Sequence, residues 1–187
     1  MTRTFILYSY GTTDVNFDIN RMPEFGKLDL VCRCVIAALW LSKTVRKDAQ
    51  FYVVLNTGPR PPVTIRFDGS KLAGIEPTEK SIGTAIKNAL RVVKDKNWTS
   101  VQSGVAVSRK SFQEIIKDSS NIYVLNPNGQ HILKAELKNP TFVLGDYVGL
   151  PKKEESFALR KGKKISLGNQ IYLASAVINV VNWVLDK

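Results

Sequence analysis

The chain has 187 residues, 44% of them apolar, and carries 27 Lys and Arg against 16 Asp and Glu, a formal charge of +11. That is enough chain for one domain with a real core, and no apolar run reaches the length that spans a bilayer. Cys32, Cys34 and the lone His131 are too few and too badly spaced for a zinc site or a histidine-dependent triad.

A positive surplus of this size favours a polyanionic partner, although abundant lysine also accompanies adaptation to heat. The opening MTRTFILYSYGTTD reads as a strand over residues 4–8. It lacks the apolar stretch and small-residue cleavage site of a signal peptide, so a cytoplasmic protein is expected. A polar loop runs on to Lys27. Leu28, Val31, Cys32, Val35, Ile36 and Leu39 recur at helical spacing and predict a helix over 28–42. Cys32 and Cys34, two apart on that helix, point to nearly opposite faces and read as small buried apolar residues.

Strands are expected over 51–55 and 63–67, separated by the irregular Gly58-Pro59-Arg60-Pro61-Pro62 and closed by the turn Asp68-Gly69. Thr78 with Ser81 opens a second helix, with Ile82, Ala85, Ile86, Ala89, Leu90 and Val93 on its apolar face. A brief strand over 104–107 leads to Ser108, read as the N-cap of a helix over 109–117. The strand over 121–125 should stop at Asn126-Pro127-Asn128-Gly129, a strong turn signal.

The last third carries the chemistry. Short strands over 142–144 and 165–167 each end on a glycine, Gly145 and Gly168, where backbone without a Cβ can approach a ligand. The basic connection between them holds Lys152, Lys153, Arg160, Lys161, Lys163 and Lys164, which would ring such a site. A closing helix over about 170–185 is apolar almost all the way round and must be covered on every side. One face suits its own sheet; the other suits a second copy of the chain, unless the helix is central to a monomer.

Strands alternating with helices at this spacing predict an α/β fold with a mostly parallel sheet flanked by helices. Ligands then bind beyond the carboxyl ends of the strands, at 125–126, 144–145 and 167–168. Neither GxGxxG nor GxxxxGK[ST] is present, so a nucleotide-like ligand would be held by backbone from several separate loops.

The segments FVLGDYVGLPKK and KKISLGNQIYLASAVI resemble the C-terminal half of the SPOUT methyltransferases, α/β enzymes with a trefoil knot that bind S-adenosylmethionine. KLDLVCRCVIAALWLSKTVRKDAQFYVVL, PPVTIRFDGSKL, GVAVSRKSF and IYVLNPNG extend the resemblance, in order, to the archaeal tRNA pseudouridine(54) N1-methyltransferases, the TrmY family. The resemblance implies one SPOUT domain over 1–187, with an N-terminal α/β part to about 118 and a knotted cofactor-binding part over about 119–187. It also implies a homodimer acting on the tRNA T loop, without metal and away from membranes. Bases splayed from RNA loops are the usual targets of sequence-specific recognition.

Carried onto this chain, the family's cofactor contacts fall on Leu125, on Gly145 beside the methionine moiety, and on the adenine-cradling run Leu167, Gly168, Asn169, Gln170, Ile171 and Tyr172. Val177 stands where the family has a cysteine. Asp146 is the candidate for orienting the target base or taking its proton, or caps the following turn. Asp29 and Arg33 are candidates for meeting substrate across a dimer interface, or form an i, i+4 ion pair. Arg46, Lys47, Lys152 and Lys153 are candidates for holding phosphates, or are solvated charges. Three departures stand out. Asn169 replaces a proline, Tyr147 replaces a histidine, and AVINVVNW replaces the family's HCITIIHN. They leave open a knotted RNA-binding paralogue without transfer activity, and analogy with related knotted enzymes leaves open an rRNA pseudouridine methyltransferase.

Overall fold

The computed structural model describes residues 1–187 and gathers eight strands into one sheet. In chain order they are β1 (Arg3–Thr12), β2 (Ala49–Thr57), β3 (Val63–Asp68), β4 (Thr99–Gln102), β5 (Val105–Ser108), β6 (Ile122–His131), β7 (Thr141–Gly145) and β8 (Gly162–Ser166). Five helices pack on them: α1 (Leu28–Leu39), α2 (Glu79–Val92), α3 (Phe112–Asp118), α4 (Lys152–Leu159) and α5 (Ala174–Leu185). The spatial order is β4-β5-β3-β2-β1-β7-β6-β8. From β2 through β1, β7 and β6 to β8 every pairing is parallel; β2-β3, β3-β5 and β5-β4 are antiparallel. The expected mostly parallel sheet is present. Its antiparallel flank carries a strand, β4, that the polar TSVQ does not announce by apolar alternation.

Side chains alternate across the sheet, as a period of two demands. Phe5, Leu7, Phe51, Val53, Leu55, Phe142 and Leu144 face the layer made by α1, α2 and α5. Ile6, Val54, Val143 and Val124 face the opposite way, against Phe112, Ile115 and Ile116 of α3 and Ala158 of α4. Register then defines two edges. Tyr8 is opposite Gly145, Leu55 opposite Val63, and Thr64 opposite Ser108. The ends of β1, β2, β5, β6, β7 and β8 therefore share one carboxyl edge. Arg3, opposite Ala49, and Ile122, opposite Gly162, mark the amino edge.

Several local expectations shift for identifiable reasons. Thr78 does cap α2, accepting from the Ser81 amide at 3.2 Å. The cap of α3 is Ser111, not Ser108: its hydroxyl accepts from the Glu114 amide and Glu114 reaches back to the Ser111 amide, a capping box. Ser108 instead ends β5 and donates its hydroxyl to the Lys96 carbonyl at 2.8 Å. The Asn126–Gly129 run does not end β6. It is an outward excursion, because Leu125 and Gln130 both pair with Ile165 and the strand then resumes. α5 begins at Ala174 rather than near 170, so 167–173 is free to cross the sheet's carboxyl edge. Cys32 and Cys34 are buried and unpaired, and burial raises both thiols above their ordinary value, Cys34 to about 12.

Candidate active site

The carboxyl ends of β6, β7 and β8, with the first turns of α5, enclose a cleft of about 220 Å³. Leu125, Gly145, Asp146, Leu167, Gly168, Gln170, Ile171, Tyr172 and Val177 all line it. Sequence reasoning thus brings eight of its nine cofactor candidates together; Asn169 is the exception, exposed and outside the lining. The wall also includes Asn126 and Pro127 from the β6 excursion, Gly149 and Leu150 from the turn after β7, and Ala174 of α5. Asn126 belongs to the strand end at 125–126 expected to meet a ligand, and the Asn-Pro-Asn-Gly turn signal marks Pro127 beside it.

Glycines shape this cleft in two ways. A Cβ on Gly145 would lie 2.1 Å from the Leu150 nitrogen and 2.2 Å from the Gly149 carbonyl carbon, so the tight return of residues 145–150 requires glycine. Gly149 and Gly168 lie at φ of +92° and +119°, and a Cβ on either would meet nothing within 4 Å. Their bare backbone faces open space, a cradle that side chains would fill. Apolar walls with exposed peptide groups suit a compact ligand that carries a purine and an amino-acid moiety. These residues therefore fit S-adenosylmethionine.

Asp146 is the buried carboxylate of this wall. Its Oδ2 accepts from the Tyr10 amide at 2.6 Å and its Oδ1 from the Val148 amide at 3.0 Å, the latter an Asx turn. The turn-capping role anticipated for it is present, and it does not remove Asp146 from the cleft. Burial pushes the carboxyl above the ordinary aspartate range, opposed by the two amide hydrogen bonds. Tyr8, opposite Gly145 in the sheet, has its phenol raised by burial and then by the nearby Tyr10, Glu154 and Asp146.

The other candidates sit elsewhere. Asp29 and Arg33 form the i, i+4 ion pair at 2.7 Å, and Arg33 also reaches Glu79 at 3.2 Å. They stand in the opening turns of α1, outside the cleft lining. Asp29 Oδ1 is buried and accepts no hydrogen bond. Arg46 is not a free phosphate contact: its side chain is largely buried and clamps Asp186 with two 2.7 Å bonds. Lys47 is exposed, but it precedes β2 on the amino edge, opposite the cleft. Lys152 and Lys153 are exposed, unpaired, and follow directly on the Gly149-Leu150 wall. The ring of basic residues is therefore partial. Lys161 caps the end of α3, donating to the Lys117 and Ser119 carbonyls at 2.7 and 3.0 Å, and Lys163 lies where β8 begins, far along the strand.

One departure in the last helix also resolves. Aligned through Val177, the family's second histidine falls on Asn182, which is buried at the amino edge. It donates to the Ala37 carbonyl at 2.9 Å and accepts from Arg3 at 3.1 Å. That position serves packing, not the cleft.

The sequence profile of the family described as "Putative SAM-dependent RNA methyltransferase" matches residues 2–187. A tRNA (pseudouridine(54)-N(1))-methyltransferase of Methanocaldococcus jannaschii is 35% identical over 198 residues, covering 99% of this chain and 97% of that one. Its counterpart in Methanocella arvoryzae is 37% identical over the whole of both chains. Among solved structures, Archaeoglobus fulgidus Nep1 bound to S-adenosylhomocysteine superposes with a TM-score of 0.66 at 12% identity, covering 100% of this chain and 98% of that one; it shares the fold. The chain belongs to this family of S-adenosylmethionine-dependent RNA methyltransferases, with the archaeal tRNA (pseudouridine(54)-N(1))-methyltransferases among its members.

Proposed function

We propose that this protein transfers a methyl group from S-adenosylmethionine to N1 of pseudouridine at position 54 in the tRNA T loop. The observation that carries the reading is the glycine-cradled cleft at the carboxyl ends of β6, β7 and β8, in a chain 35–37% identical over its length to enzymes of that name.

When bound, S-adenosylmethionine supplies an electrophilic methyl group. The chain's own part is to hold and orient. Gly145 and the Leu167–Tyr172 run offer peptide groups, while Leu125 and Val177 give apolar walls that exclude water. Transfer would form a carbon–nitrogen bond at the target N1 as the methyl carbon–sulfur bond breaks, with the thioether as leaving group and the N1 proton released. Asp146 is the cleft's carboxylate, buried and raised in pKa, and it orients the base and accepts that proton.

Two features of the larger assembly follow from the same reading. β8 is the outermost strand, yet α5 returns to pack on α1, so 167–173 crosses the ends of β6 and β7 past the excursions at 126–129 and 146–151. That crossover is the segment we assign to the trefoil knot. Ile171, Tyr172, Leu173, Val180, Trp183, Tyr147 and Val148 are all exposed, apolar side chains on α5, the segment before it and the turn after β7, of the kind that line protein–protein contacts. A second copy of the chain covers it, giving a cytoplasmic homodimer.

The test is methyl transfer from labelled S-adenosylmethionine to T-arm RNA carrying either pseudouridine or uridine at position 54. Label on the pseudouridine RNA alone is expected. Label only on rRNA would move the substrate, and cofactor binding with no transfer to any RNA would leave a knotted RNA-binding paralogue.

A further inference from the structure

Three basic residues of the N-terminal half meet at a place no motif marks. Loop residue Arg60 follows β2, Arg109 follows β5, and Lys94 follows α2. By the register of the sheet all three lie on the carboxyl edge, the edge that holds the cleft. A continuous set of hydrogen bonds fixes their position relative to it. Asp146 holds the Tyr10 amide at 2.6 Å, and Thr57 Oγ1 donates to the Tyr10 carbonyl at 2.8 Å. Thr13 Oγ1 donates to the Thr57 carbonyl at 2.9 Å and accepts from the Arg60 amide at 3.2 Å. Arg109 then joins two loops: Nη1 donates to the Arg60 carbonyl at 2.8 Å and Nε to the Lys94 carbonyl at 3.2 Å.

Those bonds orient Arg109 without neutralising it. No carboxylate pairs with Arg60, Lys94 or Arg109, whereas Arg3 and Arg46 on the amino edge are clamped by Asp48 and Asp186. Asp95, next to Lys94 in the chain, is turned to backbone and accepts from the Asn97 amide, and Asp14, next to Thr13, accepts from the Asn16 amide. Lys110 and Lys96 are paired, with Asp118 and Glu114. A preorganised guanidinium with unpaired cations on both sides is a phosphate-binding arrangement, because charge and donors are in place and no ion pair must first be broken.

Resting on the reading of this protein as an RNA methyltransferase, we infer that Arg60, Lys94 and Arg109 form a second RNA contact, gripping backbone phosphates of the same stem-loop whose base enters the cleft. Four strand spacings separate β7 from β5, about 19 Å at 4.8 Å each. That equals roughly five to six steps of one strand at 3.4 Å. The patch therefore reaches flanking stem phosphates, not the target nucleotide. Of the four phosphate candidates that the sequence offers, Arg46 and Lys47 lie on the wrong edge for this task.

The experiment measures binding of a T-arm RNA hairpin across a salt series for wild type, Arg60→Glu, and Arg60→Glu with Lys94→Glu, two exposed side chains without bonding partners. Calorimetric binding of S-adenosylmethionine is measured in parallel and reports folding. The single variant should lower the slope of log K against log salt by about 0.9, one phosphate contact. The double variant should weaken RNA binding by about tenfold or more, with cofactor affinity unchanged within about twofold. Unchanged slope and RNA affinity in the double variant would overturn the inference, and methyl transfer that persists there would leave the proposed function standing. Loss of RNA binding by the variants, with a wild type that binds RNA but methylates none, would do the reverse. A wild type that binds no RNA would overturn both.

Discussion

The Tyr10 amide donates a 2.6 Å hydrogen bond to Oδ2 of Asp146, joining the end of β1 to the wall of the cleft beyond β7. The bond does two things. It fixes the rotamer of a carboxylate that the Val148 amide holds from the other oxygen. It also makes the cleft answer to the N-terminal half of the chain, which carries Tyr10, Thr13 and Arg60.

Replacing Asp146 by Asn keeps the shape and one acceptor but removes the base. A general base contributes on the order of 10²- to 10⁴-fold, so Asp146→Asn should lower kcat by at least about 10²-fold while S-adenosylmethionine affinity stays within about twofold. Burial raises this carboxyl above its ordinary 3.8, so activity should fall on acidification at a higher pH than an exposed aspartate would give. The sign for stability is opposite. Above the unfolded pKa the folded state holds the proton more tightly, so this group's contribution declines as pH rises through that window. Single-turnover rates across pH for both proteins check the first point; a full rate for Asp146→Asn would sink the assignment.

The cleft itself needs a probe other than Gly145. A side chain there collides with the backbone of Gly149 and Leu150, so lost binding in Gly145→Val would report a broken turn as readily as a blocked site. Val177 lines the same cleft from a helix whose backbone does not depend on it. Val177→Phe should cut S-adenosylmethionine affinity by about tenfold or more, with the thermal midpoint of the ligand-free protein little changed. Wild-type affinity in that variant would place the cofactor elsewhere.

These details show where the sequence was informative. Apolar spacing in Leu28–Leu39 and the unbroken apolar run Phe5, Ile6 and Leu7 disclosed α1 and β1, because a buried helix and a strand buried on both faces leave those patterns directly. Gly145 and Gly168 marked the cleft because a missing Cβ is visible in one letter. The β6 excursion reads as a stop in sequence: Asn-Pro-Asn-Gly demands a bend, but only the pairing of Gln130 with Ile165 shows that the strand resumes. Arg46 and Arg60 look alike on paper. Asp186, 140 residues from Arg46, neutralises one, and nothing local to either residue reveals the difference.

The exposed apolar face of α5 predicts association. Trp183 is 59% exposed and Val180 39%, on a helix whose other side is sealed by Ile178 and Val181. A charge there leaves that core untouched. Trp183→Glu should turn a dimer into a monomer by sedimentation equilibrium while secondary structure is retained. If the wild type sediments as a monomer at tens of micromolar, the face has another occupant.

The last helix also explains why losing the family's second histidine need not cost activity. Asn182 donates to the Ala37 carbonyl at the end of α1 and accepts from Arg3 Nη1, which in turn holds Asp186 at 2.8 Å. A neutral histidine has one donor and one acceptor nitrogen and meets the same pair of demands. Alanine meets neither, leaving a buried carbonyl and a guanidinium proton unpaired at a cost of about 1–3 kcal/mol. Asn182→Ala should therefore lower the denaturant midpoint, and Asn182→His should recover much of the loss. Both should keep wild-type kcat where they are fully folded, since the residue stands at the edge opposite the cleft. A kcat that falls in folded Asn182→Ala and returns in Asn182→His would instead make the position part of catalysis.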